Sequence, residues 1–217
     1  MNEPFVRWSW VAGHLDEIWR RTVEHFQLTG IAVGAGFVIA MALALVAIRF
    51  RRAYAPITWV TGVLYTIPSL ALFALLIPLT GLSTLTAEIG LVSYTLLILV
   101  RNIVAGIDGV PRAVREAAVA MGYRRARLLL EVELPLALPV IVAGLRIATV
   151  TTVGLVTVTA LIGQGGYGFL IADGLRRFFN TPLVVGAVLS VVMAIALDAL
   201  LVVTERALSP WARRRVR

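Results

Sequence analysis

The sequence predicts an all-α integral membrane protein with about five transmembrane helices. Of its 217 residues, 59% are apolar and only 15% are charged. The mean hydropathy of +0.91 lies far above that of an ordinary soluble domain. A spanning helix needs about 20 mainly apolar residues. Five stretches reach that length, at 28–48, 57–79, 84–107, 139–162 and 183–204.

The distribution of arginine predicts which way the chain crosses the membrane. All twenty basic residues are arginine. Thirteen fall in 49–56, 108–138 and 205–217, and five fall in 1–27, 80–83 and 163–182. Because cytoplasmic segments collect positive charge, this bias predicts an N-terminus outside and a C-terminus inside. Membrane sidedness therefore explains the net charge of +8, and we expect no nucleic-acid partner.

The two ends of the chain predict segments outside a transmembrane domain that spans 28–204. Residues 1–27 predict an external interfacial helix, because apolar residues recur at helical spacing and tryptophans suit a membrane interface. The residues concerned are Trp8, Trp10, Val11, Leu15, Ile18, Trp19 and Phe26. A poorly structured tail is the alternative. Residues 205–217 predict a basic cytoplasmic tail.

The composition argues against several kinds of catalytic site. The chain has no cysteine and only two histidines, His14 and His25, with no carboxylate cluster nearby, so we expect no metal site. Without lysine it cannot form a Walker A phosphate site. The GxGxxG pattern at 163–168 follows a predicted span rather than a strand, and we interpret it as a flexible outer turn. We expect no catalytic residue and no cofactor in this chain.

The segment 108–138 predicts a helix, a tight turn and a second helix on the cytoplasmic side. Pro111 suits a first helical turn, and the residues after it are strong helix formers. Gly122 predicts the turn, since glycine readily adopts the left-handed conformation that ends a helix. A short helix at 124–132 is then predicted to end at Pro135 and Pro139.

Seven residues of this loop resemble the EAA signature of bacterial ABC importer permeases. Only Val132 departs from the signature, at a position where isoleucine is usual. The resemblance implies a type I importer (MetI-like) permease fold and a loop that couples to a separate ATPase subunit. The residues that carry it are Glu116, Ala117, Ala118, Gly122, Val132, Leu134 and Pro135.

In that role, Ala117 and Ala118 would keep one surface small so that the ATPase can approach closely. Glu116 is interpreted either as a helix cap or as an interfacial acceptor.

Segments 66–73, 133–146 and 162–168 are similar to the osmoprotectant branch of these permeases. The resemblance implies transport of glycine betaine, choline, carnitine or related quaternary ammonium compounds. It also implies a second permease copy, identical or a sister chain, two ATPase subunits that bind ATP–Mg, and an extracytoplasmic binding protein. The alternatives are an importer permease for another small solute such as an amino acid, a self-sufficient channel or secondary carrier, and a membrane enzyme.

A mid-span proline and three aromatic residues suggest a translocation path. Pro68 must disrupt a helix, which is tolerated inside a membrane only against protein or a water-filled cavity. A merely structural kink is the alternative. Tyr65, Phe73 and Tyr94 offer aromatic faces to an ammonium group, with ordinary packing as the alternative.

Two opposite charges within the spans suggest a gate or hinge. Arg146 and Asp198 fall in the inner thirds of their predicted spans. An unpaired charge there is costly, so we predict that they pair with each other. The alternative is that each side chain extends separately to the nearby interface.

Overall fold

The computed structural model describes residues 5–209, and its regular elements in that range are all helical. The all-α class is confirmed. The α-helices are α1 Trp8–Gly13, α2 Leu15–Arg49, α3 Tyr54–Thr66, α4 Ser69–Thr80, α5 Thr84–Asp108, α6 Arg112–Ala120, α7 Arg125–Leu128, α8 Leu134–Val158, α9 Tyr167–Arg177 and α10 Asn180–Leu208. Single turns of other helix types lie at Arg51–Ala53, Leu129–Glu133 and Thr159–Ile162.

The number of spans agrees with the prediction. Within the described part of the chain, four helical stretches are long and apolar enough to cross a membrane. They contain α2, α5, α8 and α10. A fifth span is formed if α3 and α4 are taken together, although these two helices are bent by 99° relative to each other. The predicted span at 57–79 is therefore a broken one.

The predicted interfacial helix at 1–27 and the predicted first span at 28–48 meet within one helix, α2, and the boundary between them stays a prediction. Helix α2 runs without interruption through this point and begins only after a break at His14. Its 35 residues correspond to about 50 Å at 1.5 Å per residue, more than the hydrocarbon core of a bilayer. A helix of this length either tilts in the bilayer or projects beyond its hydrocarbon core. Residues 1–4 of the predicted helix lie outside the described residues, as does the tail after 209.

The predicted helix end at Pro135 and Pro139 is wrong. The chain stays helical from α7 through the turn at Leu129–Glu133 into α8. Pro135, which has no N–H to donate, lies two residues after the turn at Leu129–Glu133. That turn is a π-type turn, the kind that absorbs local irregularity in a continuous helix. Pro139 is accommodated inside α8.

Helix α5 lies at the centre of the bundle and packs against α2, α3, α4 and α8. A row of small buried residues on α2 allows close approach: Ala32, Gly36, Ala40 and Ala44. A Cβ on Gly36 would lie 1.9 Å from Thr95 Oγ1 of α5. On the other side of α5, Gly144 of α8 packs directly against Asn102. Small residues thus set the helix spacing, as is common between membrane helices.

Candidate coupling loop and translocation face

The loop that carries the seven signature residues ends its first helix as predicted. Gly122 has a φ of +86°, and its N–H donates to the Val119 carbonyl at 2.9 Å. The N–H of Tyr123 donates to the Ala118 carbonyl at 3.1 Å. These two hydrogen bonds form a Schellman motif, in which a left-handed glycine satisfies the last carbonyls of a helix. Pro111 immediately precedes α6 rather than lying within its first turn.

The three signature residues on α6 face different surroundings. Glu116 is exposed, and one of its carboxylate oxygens accepts a hydrogen bond from Arg112 Nε at 2.6 Å. It therefore does not cap the helix. Ala117 is exposed, whereas Ala118 is 2% exposed and packs inward. The prediction that both alanines form a small outer surface is wrong for Ala118.

Helix α6 also exposes apolar side chains beside these residues. Val114, Val119 and Met121 are 38%, 57% and 70% exposed. Large exposed apolar side chains on a short polar loop are typical of a protein interaction surface. We call Val114, Glu116, Ala117, Val119 and Met121 the α6 surface.

The remaining signature residues anchor the loop to the bundle. Val132, Leu134 and Pro135 are half-buried, and Leu134 packs against the main apolar core. Beside them, Arg127 Nε donates to both carboxylate oxygens of Glu131, at 3.0 and 2.9 Å. This hydrogen bond raises the pKa of the Arg127 guanidinium above its ordinary value.

The break between α3 and α4 lies at Ile67 and Pro68. Both residues have extended backbone conformations, which leaves carbonyl groups without helical partners. The hydroxyl of Tyr94, from α5, donates to the Ile67 carbonyl. The Tyr65 ring meets the Tyr94 ring edge-on, with 5.9 Å between centroids. The structure thus brings Tyr65 and Tyr94 together beside Pro68, and their role in the path stays a prediction.

A recess of about 570 Å³ opens between α3 and α5 beside this break. Its lining combines aromatic rings with one cation. The lining residues include Thr58, Trp59, Gly62, Tyr65, Leu97 and Arg101. Trp59 and Arg101 are exposed in the single chain.

Phe73 does not belong to this group. Its side chain is fully buried in a core cluster with Ala87 and Leu91. A Cβ on Gly90 would lie 2.4 Å from the Phe73 ring, so α4 and α5 are in close contact there. The assignment of Phe73 to the path is not supported by this placement, because the ring is enclosed by packing.

Arg146 and Asp198 form the ion pair that was predicted. Arg146 Nε lies 2.7 Å from Asp198 Oδ1, and Nη2 lies 2.9 Å from Oδ2. The pair joins α8 to α10, and each side chain is 33% exposed. It lies on a different face of the chain from the Tyr65 recess, at a separate pocket. Its role as a gate or hinge stays a prediction.

The glycine-rich turn at 163–168 is anchored, which its composition does not reveal. The Gly166 N–H donates to a Glu24 carboxylate oxygen at 3.1 Å. The Tyr167 N–H donates to His25 Nδ1 at 3.2 Å, and His25 is fully buried. Two consecutive residues of α2 therefore hold the turn, and the prediction of a flexible turn is wrong. Across residues 5–209 there is no cluster of three or more His, Cys, Asp or Glu side chains that could hold a metal ion.

Comparison with known proteins identifies the family. Residues 32–210 match the family described as binding-protein-dependent transport system inner membrane component. The chain belongs to this family. It is an ABC transporter permease of the inner membrane, with several spanning helices.

Three relatives show how far this permease resembles individual proteins. The choline transport system permease protein OpuBB of Bacillus subtilis is 36% identical, and the alignment covers 93% of each chain. The osmoprotectant import permease protein OsmW of Salmonella typhimurium is 36% identical, over 92% of this chain and 94% of its own. The glycine betaine/carnitine/choline transport system permease protein OpuCB of Bacillus subtilis is 34% identical, over 89% of each.

Solved structures confirm the predicted MetI-like fold. A chain of the inward-facing MetNI methionine ABC transporter matches with a TM-score of 0.76 and 22% identity, over 88% of this permease and 95% of that chain. An amino acid ABC transporter crystallised with histidines matches with the same TM-score and 20% identity, over 95% and 100%. At these identities the likeness establishes the fold alone.

Proposed function

We propose that this permease imports quaternary ammonium osmoprotectants such as glycine betaine, choline and carnitine, driven by a separate ATPase. The observation that carries the proposal is its similarity, over nearly its whole length, to permeases named for these solutes. The permease provides the path through the membrane. The partner ATPase binds and hydrolyses ATP–Mg, and a binding protein outside the membrane delivers the solute.

The α6 surface is where the permease contacts the ATPase in this proposal. It combines exposed apolar side chains with the exposed Glu116 and the small Ala117. The glycine turn and the inward-packed Ala118 hold it at a fixed position on the bundle. ATP-driven closure of two ATPase subunits would move two such surfaces, one on each permease copy.

The recess beside the α3–α4 break is the proposed solute path. Quaternary ammonium groups bind to aromatic faces by cation–π attraction, and Tyr65 and Trp59 supply such faces. The Arg101 guanidinium in the same recess suits a substrate carboxylate, which glycine betaine and carnitine have and choline lacks. A second permease copy facing this recess would enclose the path.

A growth assay tests the proposal. A bacterium without its own osmoprotectant uptake would express the permease with its ATPase and binding protein at high salt. We expect external glycine betaine to restore growth, and Met121→Asp, which puts a charge on the α6 surface, to abolish the rescue. Uptake of an amino acid but no betaine would show a permease for a different solute. Uptake that persists without the ATPase would show a channel or secondary carrier.

A further inference from the structure

Arg115 connects α6 to two membrane helices at once. Its Nη2 donates to the backbone carbonyl of Ile107, in the last turn of α5. Its Nε lies 2.7 Å from Oε1 of Glu133, the residue immediately before α8. Neither Arg115 nor Glu133 is one of the seven signature residues.

The ion pair between Arg115 and Glu133 is more enclosed than the other ion pairs of the loop. The Arg115 and Glu133 side chains are 28% and 13% exposed, whereas those of Arg112 and Glu116 are 90% and 63% exposed. Exposed pairs contribute little because water and salt screen them. Shielding from water strengthens the attraction between two opposite charges, and losing one partner leaves the other charge without compensation.

The two helices that Arg115 reaches are themselves packed together. A Cβ on Gly106 of α5 would lie 3.1 Å from the Ala137 carbonyl oxygen of α8. Besides this side chain, α6 is attached to the bundle by its short connections and by inward packing such as that of Ala118. Arg115 is thus a contact through which a displacement of α6 would reach the ends of both helices.

We propose that Arg115, paired with Glu133, is the positioning residue that makes α5 and α8 move together with α6. The inference rests on the proposed function, because it assigns to Arg115 the transmission of ATPase movement rather than the binding of the ATPase. Glu133 is its obligatory counter-charge, and the Ile107 carbonyl is the second attachment point.

The test compares coupling in the full transporter, reconstituted with its ATPase and binding protein in liposomes. The readouts are ATPase copurification, ATP hydrolysis and glycine betaine uptake per ATP hydrolysed. We expect Arg115→Gln and Glu133→Gln to retain the ATPase but to lower uptake per ATP by about tenfold, because each substitution leaves one charge of a shielded ion pair without its partner.

Arg51→Gln is the matched control. Arg51 makes a bidentate pair with Asp108, at 2.6 and 2.7 Å, at the same end of α5. The Glu133 carboxylate also acts on Arg51 electrostatically, but the Arg51 side chain is 61% exposed, so solvent screens that interaction. We expect its uptake per ATP to stay within about twofold of wild type.

A cross-link supplies a second test that does not depend on the stability of a single variant. The chain has no native cysteine, so Arg115→Cys with Glu133→Cys introduces the only thiols it contains. A bifunctional thiol reagent that spans the distance of the lost ion pair should restore uptake per ATP. The same double variant without the cross-link should remain uncoupled.

Three results would overturn the inference: Arg115→Gln behaving like Arg51→Gln, loss of the ATPase from Arg115→Gln, or a cross-linked form that stays uncoupled. A wild-type transporter that moves no betaine would instead refute the proposed function.

Discussion

Substitution of Gly122 tests whether the left-handed turn presents the α6 surface. At a φ of +86°, an L-residue with a side chain is strained by about 1–2 kcal/mol. A Cβ at this position would meet no atom within 4 Å, so the strain is conformational and involves no clash. Asparagine tolerates this conformation better than alanine, and a β-branched residue tolerates it least.

We therefore expect affinity for the ATPase to fall in the order Gly122, Gly122→Asn, Gly122→Ala, Gly122→Val. If the whole strain of about 1–2 kcal/mol opposes the loop conformation that binds the ATPase, affinity for the ATPase falls by about 5–30-fold. The assay is titration of detergent-solubilised permease with labelled ATPase. Equal affinities for all four proteins would refute the reasoning. A loss that follows side-chain volume instead, with Ala better than Asn, would show that the partner approaches the turn directly.

Further variants test the packing, the helix break and the Arg146–Asp198 ion pair. Gly36→Val places a side chain against α5 and should lower the melting temperature in detergent through overpacking of about 1–3 kcal/mol, while Gly34→Val, which meets no atom within 4 Å, should not. Tyr94→Phe leaves the carbonyl at the α3–α4 break without its donor and should destabilise by about 1–3 kcal/mol in a thermal shift assay; an unchanged melting temperature would contradict this. Exchanging Arg146 and Asp198 should recover much of the transport that either single alanine variant loses, and additive losses would argue against functional pairing.

The sequence predicted those features that follow from local chemistry. Glycine at 122 predicted a left-handed helix end, and Pro68 predicted a disrupted span, because each depends on the backbone of one residue. Pairing of Arg146 with Asp198 was predicted because unpaired charges are costly in a membrane. Five apolar stretches of spanning length predicted the number of spans.

The features that the sequence did not reveal depend on contacts between distant segments. Glu24 and His25 hold a turn more than 130 residues away, and only the packing of α2 brings them there. The burial of Phe73 depends on Gly90, which leaves space for its ring. Pro135 resembled a helix end, but a π-type turn before it keeps the chain helical. Arg115 lies among several arginines, and only its surroundings distinguish it.

ATP-dependent uptake by the purified transporter tests the central claim most directly. Liposomes would contain the permease and its ATPase, with the binding protein and labelled glycine betaine on the outer face and ATP inside. The account predicts accumulation that requires ATP, the binding protein and an intact α6 surface, and that Met121→Asp abolishes. Accumulation without ATP, or an absence of betaine transport by a complex that still hydrolyses ATP in response to another solute, would contradict it.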